Sequence, residues 1–111
     1  MKAEEVVARY FGGIKAKDID ALSALYMDDA TFVLPNGKSF SGRAAILEMH
    51  RGVFAASTPI PTPLAIVVGA SSVAVEIEAR LPDGTVRRTA NFFHLSDDGR
   101  IRRLSIYMQG G

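Results

Sequence analysis

A chain of 111 residues, 48% hydrophobic, with 13 Lys and Arg against 12 Asp and Glu, is sized for one core and is too apolar for a disordered polypeptide. Its net charge of +1 offers no field to draw nucleic acid or an anionic membrane, and the lack of cysteine excludes disulfides, thiolate catalysis and cysteine–zinc sites. The opening Met1-Lys2-Ala3-Glu4-Glu5 is acidic where a secretory leader is positive and then apolar, and no apolar run nears the ~20 residues that span a bilayer, so a cytoplasmic protein is expected.

Ala3 to Lys17 reads as a helix. Val6, Tyr10 and Ile14 recur at i, i+4 and i+8, with Val7 and Phe11 beside them. Glu4 and Glu5 suit the positive end of its dipole. Gly12-Gly13 either weakens this helix or allows close packing. Asp18 is a candidate N-cap for a short second helix with Ile19, Leu22 and Leu25 on its apolar edge and Tyr26 near its end. Asp28-Asp29 breaks the pattern and is expected to cap or turn the chain. Thr31 to Leu34 reads as a strand, stopped by Pro35-Asn36-Gly37. Ser41-Gly42 precedes a third helix, Arg43 to Ala56, whose face carries Ile46, Met49, His50, Val53 and Phe54.

Ser57 to Pro63 is read as a connector, since three prolines in five residues forbid a helix. Three or four strands without an intervening helix follow: Leu64–Val68, Ser72–Leu81, Val86–Leu95 and Ile101–Met108. Helices first and strands after give an α+β fold with a mostly antiparallel sheet, a single domain over residues 1–111. With Asp98-Gly99 as a two-residue loop, Asn91 lies opposite Ile106, Phe93 opposite Leu104 and His94 opposite Arg103. The other face of that hairpin carries Ala90, Phe92, Ser105 and Tyr107. Both faces are apolar, and three helices cover only one side of a sheet, which suggests a homodimer through the uncovered face around Phe92, His94, Ser105 and Tyr107.

Several stretches resemble a known family in order and spacing. They are Val7-Ala8-Arg9-Tyr10-Phe11, Lys17 to Leu22, Leu25 to Thr31, Ser41-Gly42-Arg43 entering a helix, and Phe93 to Ile101. Together they resemble the cone-shaped α+β superfamily of ketosteroid isomerase, nuclear transport factor 2 and the SnoaL-like polyketide cyclases. The likeness spans Val6 to Gln109. It implies a curved sheet wrapped around three helices, with a pocket between them and a dimer interface on the sheet's convex side.

The resemblance also assigns roles. Ketosteroid isomerase uses an Asp base with a Tyr and a protonated Asp that stabilise an enolate. Its oxyanion tyrosine matches Tyr10, a supporting tyrosine matches Tyr26, and the protonated aspartate matches Asn91. A third tyrosine, seven residues after an arginine, falls on His50 after Arg43. The base precedes a proline on the first strand, where this chain has Leu34 before Pro35. Leucine takes no proton, so isomerisation by the family's route is not expected. Tyr10 and Asn91 can still hold a carbonyl or phenolate oxygen. His50 is the one proton carrier of this set if it bonds Tyr10; otherwise it is a half-buried histidine bonded to a tyrosine hydroxyl with no chemistry. Core packing accounts equally for Tyr10 and Tyr26. Asn91 between Ala90 and Phe92 implies either a ligand contact or a structural hydrogen bond.

Glu76 depends on one loop. A two-residue Asp83-Gly84 loop sets it opposite Asn91; one residue more turns it outward, and the outward register keeps Val73, Val75 and Ile77 against the helices. His94 is read as a surface or interface residue, and two histidines on opposite faces give no metal site. The expected function is a SnoaL-like small-molecule-binding protein: an isomerase, cyclase or hydrolase on an apolar carbonyl or phenolic compound. Tyr26, Leu34, Met49, Phe54, Phe93, Leu104, Ile106 and Met108 would line its pocket, without a cofactor. The alternative is a non-catalytic dimeric module that binds a ligand or a protein.

Overall fold

Three helices cover one side of a single sheet in the computed structural model, which describes residues 2–56 and 60–109. In chain order these are α1 Ala3–Ala16, α2 Ile19–Ser23, β1 Tyr26–Val33, β2 Ser39–Ser41, α3 Arg43–Ala55, β3 Pro61–Val68, β4 Ser72–Arg80, β5 Val86–Leu95 and β6 Ile101–Met108. The sheet runs β2-β1-β6-β5-β4-β3. Only β1 and β6 pair in parallel; the other pairs are antiparallel. This is the expected α+β fold.

α1 buries Val6, Val7, Tyr10 and Phe11 along one stripe, as its 3.6-residue period requires. Burying each of these side chains stabilises the fold by about 1.5–3 kcal/mol. The helix ends where Lys17 turns left-handed at φ 54, its N–H directed at the Gly13 and Ile14 carbonyls. Asp18 then caps α2 by accepting from the Ala21 N–H at 3.1 Å. The sheet's inner face supplies Val73, Val75, Ile77, Phe93, Leu95, Ile101 and Leu104 to the same core.

Three expectations change. Asp28 and Asp29 lie inside β1 rather than ending it. The β1–β6 register shifts between Tyr26 and Thr31, and that irregularity lets both carboxylates face solvent while the strand continues. Asp28 pairs with Arg43 of α3 at 2.6 Å. The three-residue β2 was not anticipated; the turn at Pro35-Asn36-Gly37 returns the chain against β1. Pro61 and Pro63, assigned to the connector, open β3, which lies at the sheet edge where missing N–H donors are tolerated. The rest of that connector, residues 57–59, is outside the described residues.

The hairpin registers follow from loop chemistry. Asn91 pairs with Ile106, Phe93 with Leu104 and His94 with Arg103, as expected. The loop nevertheless holds three residues: Ser96 and Arg100 close it, and Gly99 takes φ 85. A one-residue shift between His94 and Leu95 then restores the expected pairing. In the β4–β5 hairpin the loop is likewise three residues, closed by Leu81 and Thr85, with Gly84 at φ 89. Val75 therefore faces Asn91, and Glu76 pairs with Ala90 and is exposed.

Candidate functional site

Tyr10 and Asn91 reach the same cleft from opposite walls. It measures about 200 Å³ and is lined by Tyr10, Phe11 and Ile14 of α1, Pro61 of β3, Ile77 and Ala79 of β4, Thr89 and Asn91 of β5, and Ile106 of β6. Alternation along the strands explains the set: residues 77, 79, 89, 91 and 106 all project from the inner face. Asn91 is 4% exposed and makes no side-chain hydrogen bond to another described residue, yet no fully enclosed polar side-chain atom there lacks a partner. Its amide therefore meets the cleft. A buried amide at a cleft wall is a ready hydrogen-bonding group for an oxygen-bearing ligand.

A second cleft, about 440 Å³, adjoins the first through the shared Ile14, Pro61 and Ile106. Its other walls are Lys15, Lys17, Val53, Phe54, Ile60 and Met108. Among the described residues no carboxylate lines either cleft. Leu34, which the resemblance sets where the isomerase has its base, is half-buried against the core and lines neither of them.

His50 sits behind Tyr10, away from both clefts. It is buried, and its Nε2 lies 2.9 Å from the Tyr26 hydroxyl. Of the two readings of His50, the geometry matches the buried histidine bonded to a tyrosine hydroxyl: that hydroxyl belongs to Tyr26, not to Tyr10, so the condition for a proton carrier is not met. Phe54 stacks on the imidazole at 6.0 Å, and Phe32 meets it edge-on at 5.5 Å. Burial lowers the His50 pKa from 6.5 to about 4, so the ring is neutral at physiological pH. The Tyr10 hydroxyl is pushed above its ordinary value of 10.0 by burial, an effect that the neighbouring Tyr26 hydroxyl partly offsets. Tyr26 is raised as well, by burial first and then by Tyr10. Both phenols stay protonated and can donate.

Of the other residues expected to line a pocket, Phe54, Ile106 and Met108 do so. Tyr26, Phe93 and Leu104 are wholly buried in the core, where they support the cleft without reaching it. Phe93 packs edge-on against Tyr10 at 5.2 Å and holds that ring in place. Met49 packs on the core from α3 and lines neither cleft. Sequence reasoning missed Phe11, Ile14, Pro61, Ile77, Ala79 and Thr89 in the inner cleft and Lys15, Lys17, Val53 and Ile60 in the outer one. The signal was available for two: Ile14 stands one turn after Tyr10, and Thr89 two residues before Asn91.

On the convex face Tyr107 is 61% exposed, and Phe92 stacks with His94 at 4.9 Å. Ser105 differs from expectation. It is 3% exposed and accepts a hydrogen bond from Arg103 Nε at 3.2 Å, so it offers no free surface. Desolvation, then Arg102 and Arg103, lower the His94 pKa. Among the described residues no group of three His, Asp or Glu could hold a metal, and no helix is long and apolar enough to cross a membrane.

The SnoaL-like domain model matches residues 7–104. The chain belongs to the SnoaL-like family. No curated protein matches it. Among solved structures, this SnoaL-like chain is similar to an NTF2-like protein of unknown function from Mesorhizobium loti, with a TM-score of 0.86 and 19% identity over 97% of this chain and 91% of that one. A protein from Sinorhizobium meliloti, described as a candidate polyketide cyclase, has a TM-score of 0.78 and 29% identity over 96% and 99% of the two chains. SalBIII, an epoxide hydrolase/cyclase-like enzyme with a role in pyran ring formation in the polyether salinomycin, has a TM-score of 0.82 and 25% identity over 96% and 89%. These likenesses agree with the α+β fold of the SnoaL-like chain.

Proposed function

We propose that this SnoaL-like chain, acting as one domain, binds a small apolar carbonyl or phenolic compound whose oxygen is held between the Tyr10 hydroxyl and the Asn91 amide. One observation supports the reading above all: a helix residue and a strand residue, 81 positions apart in sequence, line one small apolar cleft. Two neutral donors converging on an oxygen favour the state in which that oxygen gains negative charge. Catalysis by this site is polarisation of the oxygen in an isomerisation, ring closure or hydrolysis. Proton abstraction by the protein is not part of it, because Leu34 stands for the base and His50 is turned into the core. Within this scheme His50 is a positioning residue: it fixes Tyr26, and Tyr26 supports Tyr10.

A thermal-shift screen with phenols, steroids and short polyketides tests the assignment. A hit raises Tm for the native chain and loses its effect in Tyr10→Phe and Asn91→Leu. A hit indifferent to both substitutions overturns the site.

A second reading, a dimeric binding module without catalysis, draws on the absent base and on the exposed convex face. In it, Tyr107 and the Phe92–His94 stack meet a second copy.

A further inference from the structure

The outer cleft is apolar except for two cations. Ile14, Val53, Phe54, Ile60, Pro61, Ile106 and Met108 surround Lys15 and Lys17 at the end of α1. Neither lysine takes part in a salt bridge among the described residues; the four ion pairs there use Arg43, Arg51, Arg88 and Arg100. Lys17 Nζ has one contact, the Phe54 carbonyl at a long 3.4 Å. Lysines at a helix C-terminus favour the dipole, which explains their presence there. It does not explain why both line an apolar cleft that adjoins the one lined by Tyr10 and Asn91.

Helix geometry sets the spacing. At 1.5 Å per residue, Lys15 lies about 7.5 Å along α1 from Tyr10, and Lys17 roughly 10 Å. We propose that the two adjoining clefts take one small anionic amphiphile: a carbonyl or phenol oxygen at Tyr10 and Asn91, an apolar body about two fused rings long, and a carboxylate or other anion at Lys15 and Lys17. The inference rests on the proposed role of Tyr10 and Asn91 and adds the charge of the ligand. Lys15 and Lys17 are then specificity residues. Apolar walls raise the attraction between their ammonium groups and an anion above its value in open water.

The test compares 6-hydroxy-2-naphthoic acid with its methyl ester and with 2-naphthol, by fluorescence titration. The acid is expected to bind the native chain about three- to tenfold more tightly than the ester, the range that two exposed ion pairs supply. Lys15→Met/Lys17→Met is expected to erase that preference while leaving the ester's affinity unchanged. Raising salt from about 0.05 to about 1 M is expected to erase it too, since the Debye length falls to ~3 Å. Equal binding of acid and ester, or a preference that survives the double substitution, overturns the inference. If the ester and 2-naphthol still bind in a Tyr10-dependent way, the inner site stands and only the anionic specificity fails. No binding of any of the three removes both readings. Both lysines are exposed, and circular dichroism melts of the double variant confirm that it folds.

Discussion

Tyr26 and His50 share a buried hydrogen bond of 2.9 Å between the phenol oxygen and Nε2. It joins the first residue of β1 to the middle of α3 and underlies the ring of Tyr10. Because His50 is neutral when folded, protonating it opposes folding. Its pKa is about 4 in the fold and 6.5 for an unburied imidazole. Its contribution is therefore complete above pH 6.5 and fades as pH falls toward 4, by roughly 3 kcal/mol in all. Urea unfolding at about pH 7 and about pH 4.5 is expected to show that loss in the native chain and a smaller one in His50→Gln. Equal acid sensitivity in both would contradict the assignment.

Tyr10→Phe keeps the ring that packs on Phe93 and removes only the hydroxyl. One hydrogen bond contributes about 0.5–1.5 kcal/mol, so affinity for a phenolic ligand falls about two- to tenfold, and loss of the buried contact with the Tyr26 hydroxyl lowers stability by a similar amount. Asn91→Leu is expected to produce a similar loss. The double variant measures whether both groups act on one oxygen: the losses then add less than independently. Titration of 2-naphthol gives the result directly.

Gly12 and Gly13 separate helix propensity from packing. A methyl group on Gly12 meets nothing within 4 Å, so Gly12→Ala gains about 0.5–1 kcal/mol. On Gly13 it comes 3.0 Å from Leu22 Cδ2, and Leu22 is fully buried. Gly13→Ala is thus expected to be the less stable of the two by at least about 0.5 kcal/mol. Thermal melts of both variants rank them, and the reverse order would refute the close packing of α1 on α2.

Tyr107 tests the convex face. If a second copy covers it, sedimentation gives a dimer for the native chain and a monomer for Tyr107→Glu, since burying an unpaired carboxylate is costly. A native chain that is monomeric at tens of micromolar rejects the dimeric reading.

Much of this was legible from residues alone. The order of helices and strands and the inner alternation of β4 and β5 follow from local periodicity; the pairing of Asn91 with Ile106 holds only because a shift between His94 and Leu95 offsets a loop one residue longer than expected. That Leu34 takes no proton is a matter of identity, and no folding changes it. The family, too, is legible there, because its pattern is carried by residue types at fixed spacing.

The tertiary structure decided the rest. A bulge is a long-range pairing event, so nothing local indicated that Asp28 and Asp29 continue β1. One extra loop residue sends Glu76 outward. Which hydroxyl His50 meets depends on how α3 lies across β1, and that choice turns a candidate proton carrier into a buried support. The two adjoining clefts, one lined by Tyr10 and Asn91 and the other by Lys15 and Lys17, exist only once α1 packs on the sheet. Periodicity determines which face of an element is apolar; only packing determines where two such faces leave a gap.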